Sequence, residues 1–504
     1  MNTKCNIMKT QMPIIFAISL IIFILFSSCN NPSENHSSTI GGLLNLVDDE
    51  NGSEYPGIDA IIALYPEAKI DERYLNIRAQ YGFVGKELSS RDCFDHRKLT
   101  PIASVSTDGS GNYEFTDIPY GTYNLVAVKE GWGPRYIYNI VVNSKSITIN
   151  PISLRELVNV THDLEEFEAD RTYIVQHDVT LTSQEVILHR GFSLYICPDV
   201  SIVIPAICSF NNSGEGISRI SSSENLNRIG EPIPVVKYHQ VYFSSKSPQQ
   251  SLSFEDIIVS YGTIGIRAHA GCINIENSFF SENTSGIIVT SNFEQGWDAE
   301  SIVSHNVFIG DNEGDAVHYQ GPIAGEIANN IVLDFSTGIH IKDKITASTS
   351  NNIISYNSVG IKSYHLEGVV SNNLLVDNRD YDMMYIFNLG IDNIQGTIMK
   401  NMFFSQKGVY FGPSNDYVSL NVLMENNNFF NDQYFYETRI PDSESLWPYM
   451  NCLNRDNYFG LANIEQVESK VLHHTSFEFS SDLFRPQSIS IYENSNCGPL
   501  LDDD

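Results

Sequence analysis

The chain has 504 residues, with 30 Lys and Arg against 61 Asp and Glu, a formal net charge of −31, and 42% hydrophobic residues. So acidic a balance argues against nucleic acid or an anionic membrane surface as an electrostatic partner. The hydrophobic share can fill extensive cores, and the length points to two or more domains.

Lys4 and Lys9 precede an apolar run from Pro13 to Phe26. That run has the length of a signal-peptide core and falls short of the roughly 20 residues a membrane-spanning helix needs. It ends in Leu25-Phe26-Ser27-Ser28-Cys29, which resembles the lipobox of bacterial lipoproteins. The resemblance implies a signal peptide over residues 1–28 and a lipid on Cys29. It also implies anchorage to a bacterial membrane, at the outer membrane or cell surface. An uncleaved anchor helix is the other reading. Residues 29–39 are polar and carry Pro and Ser, as a tether does. Loss of the two lysines in residues 1–28 takes the net charge from −31 to −33. With Cys5 removed and Cys29 lipidated, six cysteines remain: Cys93, Cys197, Cys208, Cys272, Cys452 and Cys497. They form no CxxC pair, so a zinc site is not expected, nor any other metal or cofactor. An exported chain permits disulfides; buried free thiols are the alternative.

Residues 40–154 read as short strands between turn signals. In Thr107-Asp108-Gly109-Ser110-Gly111-Asn112-Tyr113-Glu114-Phe115, a glycine-rich turn feeds an alternating strand. Ile118-Pro119-Tyr120-Gly121 then turns the chain into a second one, with Tyr123, Leu125 and Ala127 on one face. This pattern resembles the carboxypeptidase regulatory-like (transthyretin-like) β-sandwich, interrupted near residues 67–100 by a stretch the family does not match. The resemblance implies a spacer or binding module rather than a catalytic one.

Past residue 170 one frame repeats. Asparagines at 277, 306, 329, 351, 372, 401 and 427 recur, with Gly-Ile or an equivalent pair such as Gly286-Ile287, Asp315-Ala316, Gly338-Ile339 and Gly360-Ile361 following several of them. A period of 20–30 residues, with short strand-like apolar pairs and no helix-length amphipathic run, predicts a β-solenoid. Asparagine tolerates the left-handed backbone of a tight turn, and stacked asparagines can hydrogen-bond along the ladder. Phe279/Phe280, Ile331/Val332, Ile353/Ile354, Leu374/Leu375, Phe403/Phe404 and Phe429/Phe430 are expected inside. The fold class is therefore all-β, a right-handed parallel β-helix over residues 170–498 preceded by a small β-sandwich. The repeat part resembles the pectate-lyase-like superfamily, which includes lyases, hydrolases, esterases, adhesins and scaffolds.

The signatures of that superfamily's enzymes are not recognisable. No acid pair stacks for glycosidic hydrolysis and no aspartate cluster marks a calcium site. Taking Ile266, Ile287, Ala316, Ile339 and Ile361 as inward, strict alternation turns Arg267, His269, Tyr319, His340, Lys342, Lys362 and Tyr364 outward, and His318 inward. This is a stripe of cations, histidines and tyrosines without a carboxylate. Such groups suit uronate or sulfate and the faces of sugar rings. The expected partner is a polysaccharide or cell-surface glycan bound along the β-helix. The alternative is a polysaccharide lyase acting by β-elimination, with His340, Tyr319 and Lys342 as candidate catalytic groups. An ordinary solvated strand face is the plainest reading. Glu294, Trp297 and Asp298, in a long insertion, are either a sugar contact or a cover.

Overall fold

The structure, a computed structural model, describes residues 37–459 apart from short stretches, the longest being 212–216, 245–250, 292–298, 388–395, 414–419 and 439–449. Beyond residue 459 it describes only a few residues, most of them in short strands. Cys29, and the loop with Glu294, Trp297 and Asp298, lie outside the described residues.

The alternation read in the N-terminal part produces two packed sheets. In one, Ser37–Val47 pairs antiparallel with Glu54–Pro56 and Asn112–Pro119, and parallel with Ser146–Thr148 and Ile152–Arg155. In the other, antiparallel strands run in the order Ala103–Ser106, Ile61–Pro66, Gly121–Val128, Arg135–Val142. Tyr113 and Phe115 from the first sheet share a core with Ile62, Leu64, Leu125 and Ala127 from the second. The turn before Asn112 is fixed by Asp108, whose Oδ1 accepts from Ser110 N and Asn112 N at 2.8 Å each. Gly111 supplies the positive φ that the turn needs.

The repeats wind into a parallel β-helix with three sheets of 14, 12 and 12 described strands. Each turn into the first, 14-stranded sheet uses two successive residues. Asn277, Asn329, Asn351 and Asn372 take the left-handed backbone, with φ between 46° and 56°. Elsewhere His305, Lys400, Asn426 and Asp456 fill that position. The following residue is Ser278 after Asn277, and otherwise Asn306, Asn330, Asn352, Asn373, Asn401, Asn427 or Asn457, and each is fully buried. The recurring asparagines therefore belong to two adjacent columns. In the inner column, Asn330 donates to Asn352 Oδ1 through its backbone N at 3.0 Å and through Nδ2 at 2.9 Å. The same Nδ2 donates to Val303 O at 2.8 Å. Buried amides remain favourable only when satisfied in this way.

The expectation that both members of each apolar pair lie inside is not met: one member of each enters the interior and the other faces out. Phe280, Phe308, Val332, Ile354, Leu375, Phe403 and Phe429 point in and form the continuous core. Their neighbours Phe279, Val307, Ile331, Ile353 and Leu374 point out of the same sheet and are nonetheless buried. The cover is the stretch that interrupts the sandwich. Helix Glu72–Gln80 is N-capped by Asp71, and Tyr74, Val84 and Leu88 pack on those outer residues. A sheet covered on both faces reads as apolar runs rather than alternation.

Polar contacts lock this cover in place. Gly85 N donates to Asn329 O at 2.7 Å, and Arg73 pairs with Asp334 at 2.7 Å. Arg97 lies over the Tyr261 ring and donates to Ser222 O at 2.7 Å, Ser221 Oγ at 3.0 Å and Asp95 at 3.0 Å. Tyr261 Oη donates to Asp95 at 2.8 Å. Lys86 pairs with Asp256.

Candidate functional site

The third sheet carries the outward residues singled out from the sequence. Ile266, Ile287, Val317, Ile339 and Ile361 stack in register inside, all fully buried. One residue further on, Arg267, Ile288, His318, His340 and Lys362 form an outer row. A second outer row runs through His269, Thr290, Gln320 and Lys342. Tyr364 lies two residues beyond Lys362 on the same face and, like the side chains of both rows, is half-buried.

The strand Asp315–Gln320 corrects the predicted register. Ala316, not Asp315, stands in the column of Gly286 and Gly338, and Val317 takes the place of the isoleucine. Tyr319 is therefore inside and fully buried, and His318 faces out. One residue of slip exchanges the two faces of a strand. Tyr319 is therefore not on the outer face where the sequence placed it, and burial pushes its phenol far above the usual range.

The corrected register also brings a carboxylate into the stripe. Asp315 Oδ2 lies 3.0 Å from His318 Nδ1 and 2.9 Å from His340 Nδ1. The two imidazoles stack with centroids 4.3 Å apart, and the Tyr364 ring follows 5.6 Å from His340. Neither Nε2 has a hydrogen-bond partner among the described residues. Burial pushes the Asp315 carboxyl up, but the hydrogen bonds and charge of the two histidines more than offset it and hold it well below the usual carboxylate range. For His340 burial dominates, and Asp315 only partly offsets it, so its pKa is lowered.

The cations are arranged around this cluster. Lys362 follows His340 in the row, its ammonium 5.4 Å from the Tyr364 centroid. Arg267 stacks on Tyr242 at 5.5 Å, and His269 Nδ1 lies 2.8 Å from Thr290 Oγ1. Arg267, Lys342 and Lys362 have no ion-pair partner among the described residues. The Asp315, His318 and His340 donors are the kind that hold a metal ion or orient a base. The cations suit an anion.

A second concavity, of about 410 Å³, opens where the cover meets the first sheet and is lined by Cys93, Asp95, Arg97, Tyr136, Arg219 and Tyr261 among others. Its buried charged groups Asp95, Arg97 and Arg219 are already engaged. Arg97 neutralises Asp95, and Arg219 donates to Arg91 O and Tyr138 Oη. Burial pushes the Cys93 thiol up to about 12, which removes it as a nucleophile. This concavity is a joint between two parts of the chain.

The fold defines the class as an all-β protein, a parallel β-solenoid preceded by antiparallel sheets. No family model matches the chain, and no curated protein matches it. Among solved structures, the minor pilin of Streptococcus agalactiae aligns at 14% identity over 24% of this chain and 44% of its own, with a TM-score of 0.15. A candidate carbohydrate binding protein of Pseudomonas aeruginosa aligns at 17% identity over 25% of this chain and 92% of its own, also at 0.15. The chain thus spans less than half the length of the pilin. Likenesses this slight carry no argument about function.

Proposed function

We propose that the protein is a lipid-anchored surface or periplasm-facing lipoprotein that binds an anionic polysaccharide or cell-surface glycan along the outer face of the third sheet. One observation carries the reading. On a chain of net charge −31, Arg267, Lys342 and Lys362 stand on in-register rows, unpaired with any described carboxylate. Successive coils lie about 4.8 Å apart, close to the length of one sugar residue, so a glycan along the helix axis meets one coil per sugar. His269 and Tyr364 extend the same surface with polar and aromatic groups.

Uronate-containing and sulfated polysaccharides, tested against the full chain by calorimetry, are the direct probe. Binding is expected to weaken with salt, since exposed charges are screened over about 10 Å at 0.1 M. Lys342→Ala with Lys362→Ala is expected to weaken it further. Salt-independent binding, or none, would overturn the reading. The anchoring half is tested separately: Cys29→Ala is expected to free the protein from membranes or stall its processing, and unchanged fractionation would refute it.

A lyase reading is favoured by one contact. Asp315 orients His340 beside Lys362, an arrangement able to remove a proton next to a carboxylate held by the lysine. Ultraviolet absorbance from unsaturated products, lost in His340→Ala, would support it. Binding without product leaves a binding module.

A further inference from the structure

We propose that Asp315, His318 and His340 form a binding site for a divalent transition-metal ion of the zinc, nickel and cobalt type. The inference goes beyond glycan binding and does not rest on it.

The donor set comes first. Two imidazoles and one carboxylate leave coordination positions open and suit borderline ions better than calcium or magnesium, which prefer all-oxygen surroundings. The positions come second. Donors around an ion at about 2.1 Å lie roughly 2.9–3.4 Å from one another. Asp315 Oδ2 already stands 3.0 Å and 2.9 Å from the two Nδ1 atoms, and the three donor atoms lie within 4.8 Å of one another. An ion would replace the two N–H···O contacts with only small side-chain shifts.

The scaffold comes third. His318 and His340 are neighbours in the ladder, held in register by the pairs Val317↔Ile339 and Tyr319↔Ile341 on either side. Their rings already stack at 4.3 Å, so both imidazoles face one way before any ion arrives. Asp315 reaches them from the start of the same strand as His318, just after Gly314, whose φ is 50°. The adjoining Thr284 carbonyl would stand 2.2 Å from a Cβ at Gly314. Glycine is therefore required where the chain swings Asp315 into place. Elements on rigid strands hold a ligand set more closely than loops do. Lys362, next along the row, makes an anion or water the natural occupant of the open positions.

The test uses the full chain, stripped with a chelator and titrated with Zn2+, Ni2+ and Co2+ by calorimetry. One ion per chain is expected, with a raised unfolding temperature. Asp315→Asn, His318→Ala and His340→Ala should each weaken binding by at least roughly tenfold. His189→Ala, on an earlier coil and paired with Glu166, should not. Circular dichroism checks that each variant is folded, and His340→Gln provides a milder change of the same ligand. In the unmutated chain, Zn2+ should protect His318 and His340 from carbethoxylation, read by mass spectrometry. No binding at 100-micromolar ion, on the order used for weak sites, would overturn the proposal. Binding that persists at full strength in the Asp315 and His340 variants, or an absence of protection, would do the same.

Discussion

The first and third sheets of the β-helix share one backbone plan and one apolar interior, yet their outer faces have opposite characters. Outside the first sheet stand Phe279, Val307, Ile331, Ile353 and Leu374, buried under the helix Glu72–Gln80 and the residues after it. Outside the third stand Arg267, Ile288, His318, His340 and Lys362, all half-buried. The backbone of a solenoid leaves both faces equivalent, so the outward side chains and what covers them decide their use. The first sheet is a docking surface for the chain's own cover, whereas the third leaves its cationic and imidazole side chains partly open to solvent.

The largest expected effect comes from breaking the cover's polar lock. Arg97→Ala leaves Asp95 largely buried without its guanidinium, and removing one partner of such a pair costs about 3–5 kcal/mol. A denaturant midpoint that hardly moves would show that the cover is loosely held.

Inside the third sheet, Asp382 takes the column filled by Gly286, Ala316, Gly338 and Gly360 in the preceding coils and is fully buried. It accepts from Asn378 Nδ2 at 3.0 Å, Ser405 N at 3.0 Å and Asn431 Nδ2 at 2.9 Å, and also from Ser405 Oγ. Burial outweighs these bonds and raises its pKa from 3.8 to about 7. The folded state therefore keeps a proton that the unfolded chain loses near pH 4. The associated stability is present in full below that pH and is lost as pH rises to about 7, by roughly 4 kcal/mol at most. Unfolding midpoints between pH 4 and 8 should follow this slope, and Asp382→Asn should flatten it.

Ile331→Ala and Ile288→Ala compare the two faces directly. The first opens a cavity beneath the cover and should cost about 2–4 kcal/mol. The second trims a half-buried side chain beside His318 and should cost about 1 kcal/mol or less. Equal losses would remove the distinction between the sheets.

Much of this architecture follows from the sequence alone. The recurring asparagines and apolar pairs require a solenoid because the same local conformation returns every coil. The alternation around Tyr113 and Tyr123 likewise requires a packed sheet. Arg267, His269, His340, Lys342, Lys362 and Tyr364 were placed on the outer face by period-two alternation. The exchange of His318 and Tyr319 was beyond that reasoning. Hydrogen bonding to the neighbouring coils, not the spacing of Asp315-Ala316, fixes which residue stands in the glycine column. The cover was equally hidden, since an apolar pair looks the same whether both members enter one core or lie on opposite sides of a sheet. Asp315 joined the histidines only in three dimensions. Local sequence sets backbone period and turn conformation, whereas register and burial depend on partners some 20 to 250 residues away, as with His318 and His340 or Tyr74 and Ile331.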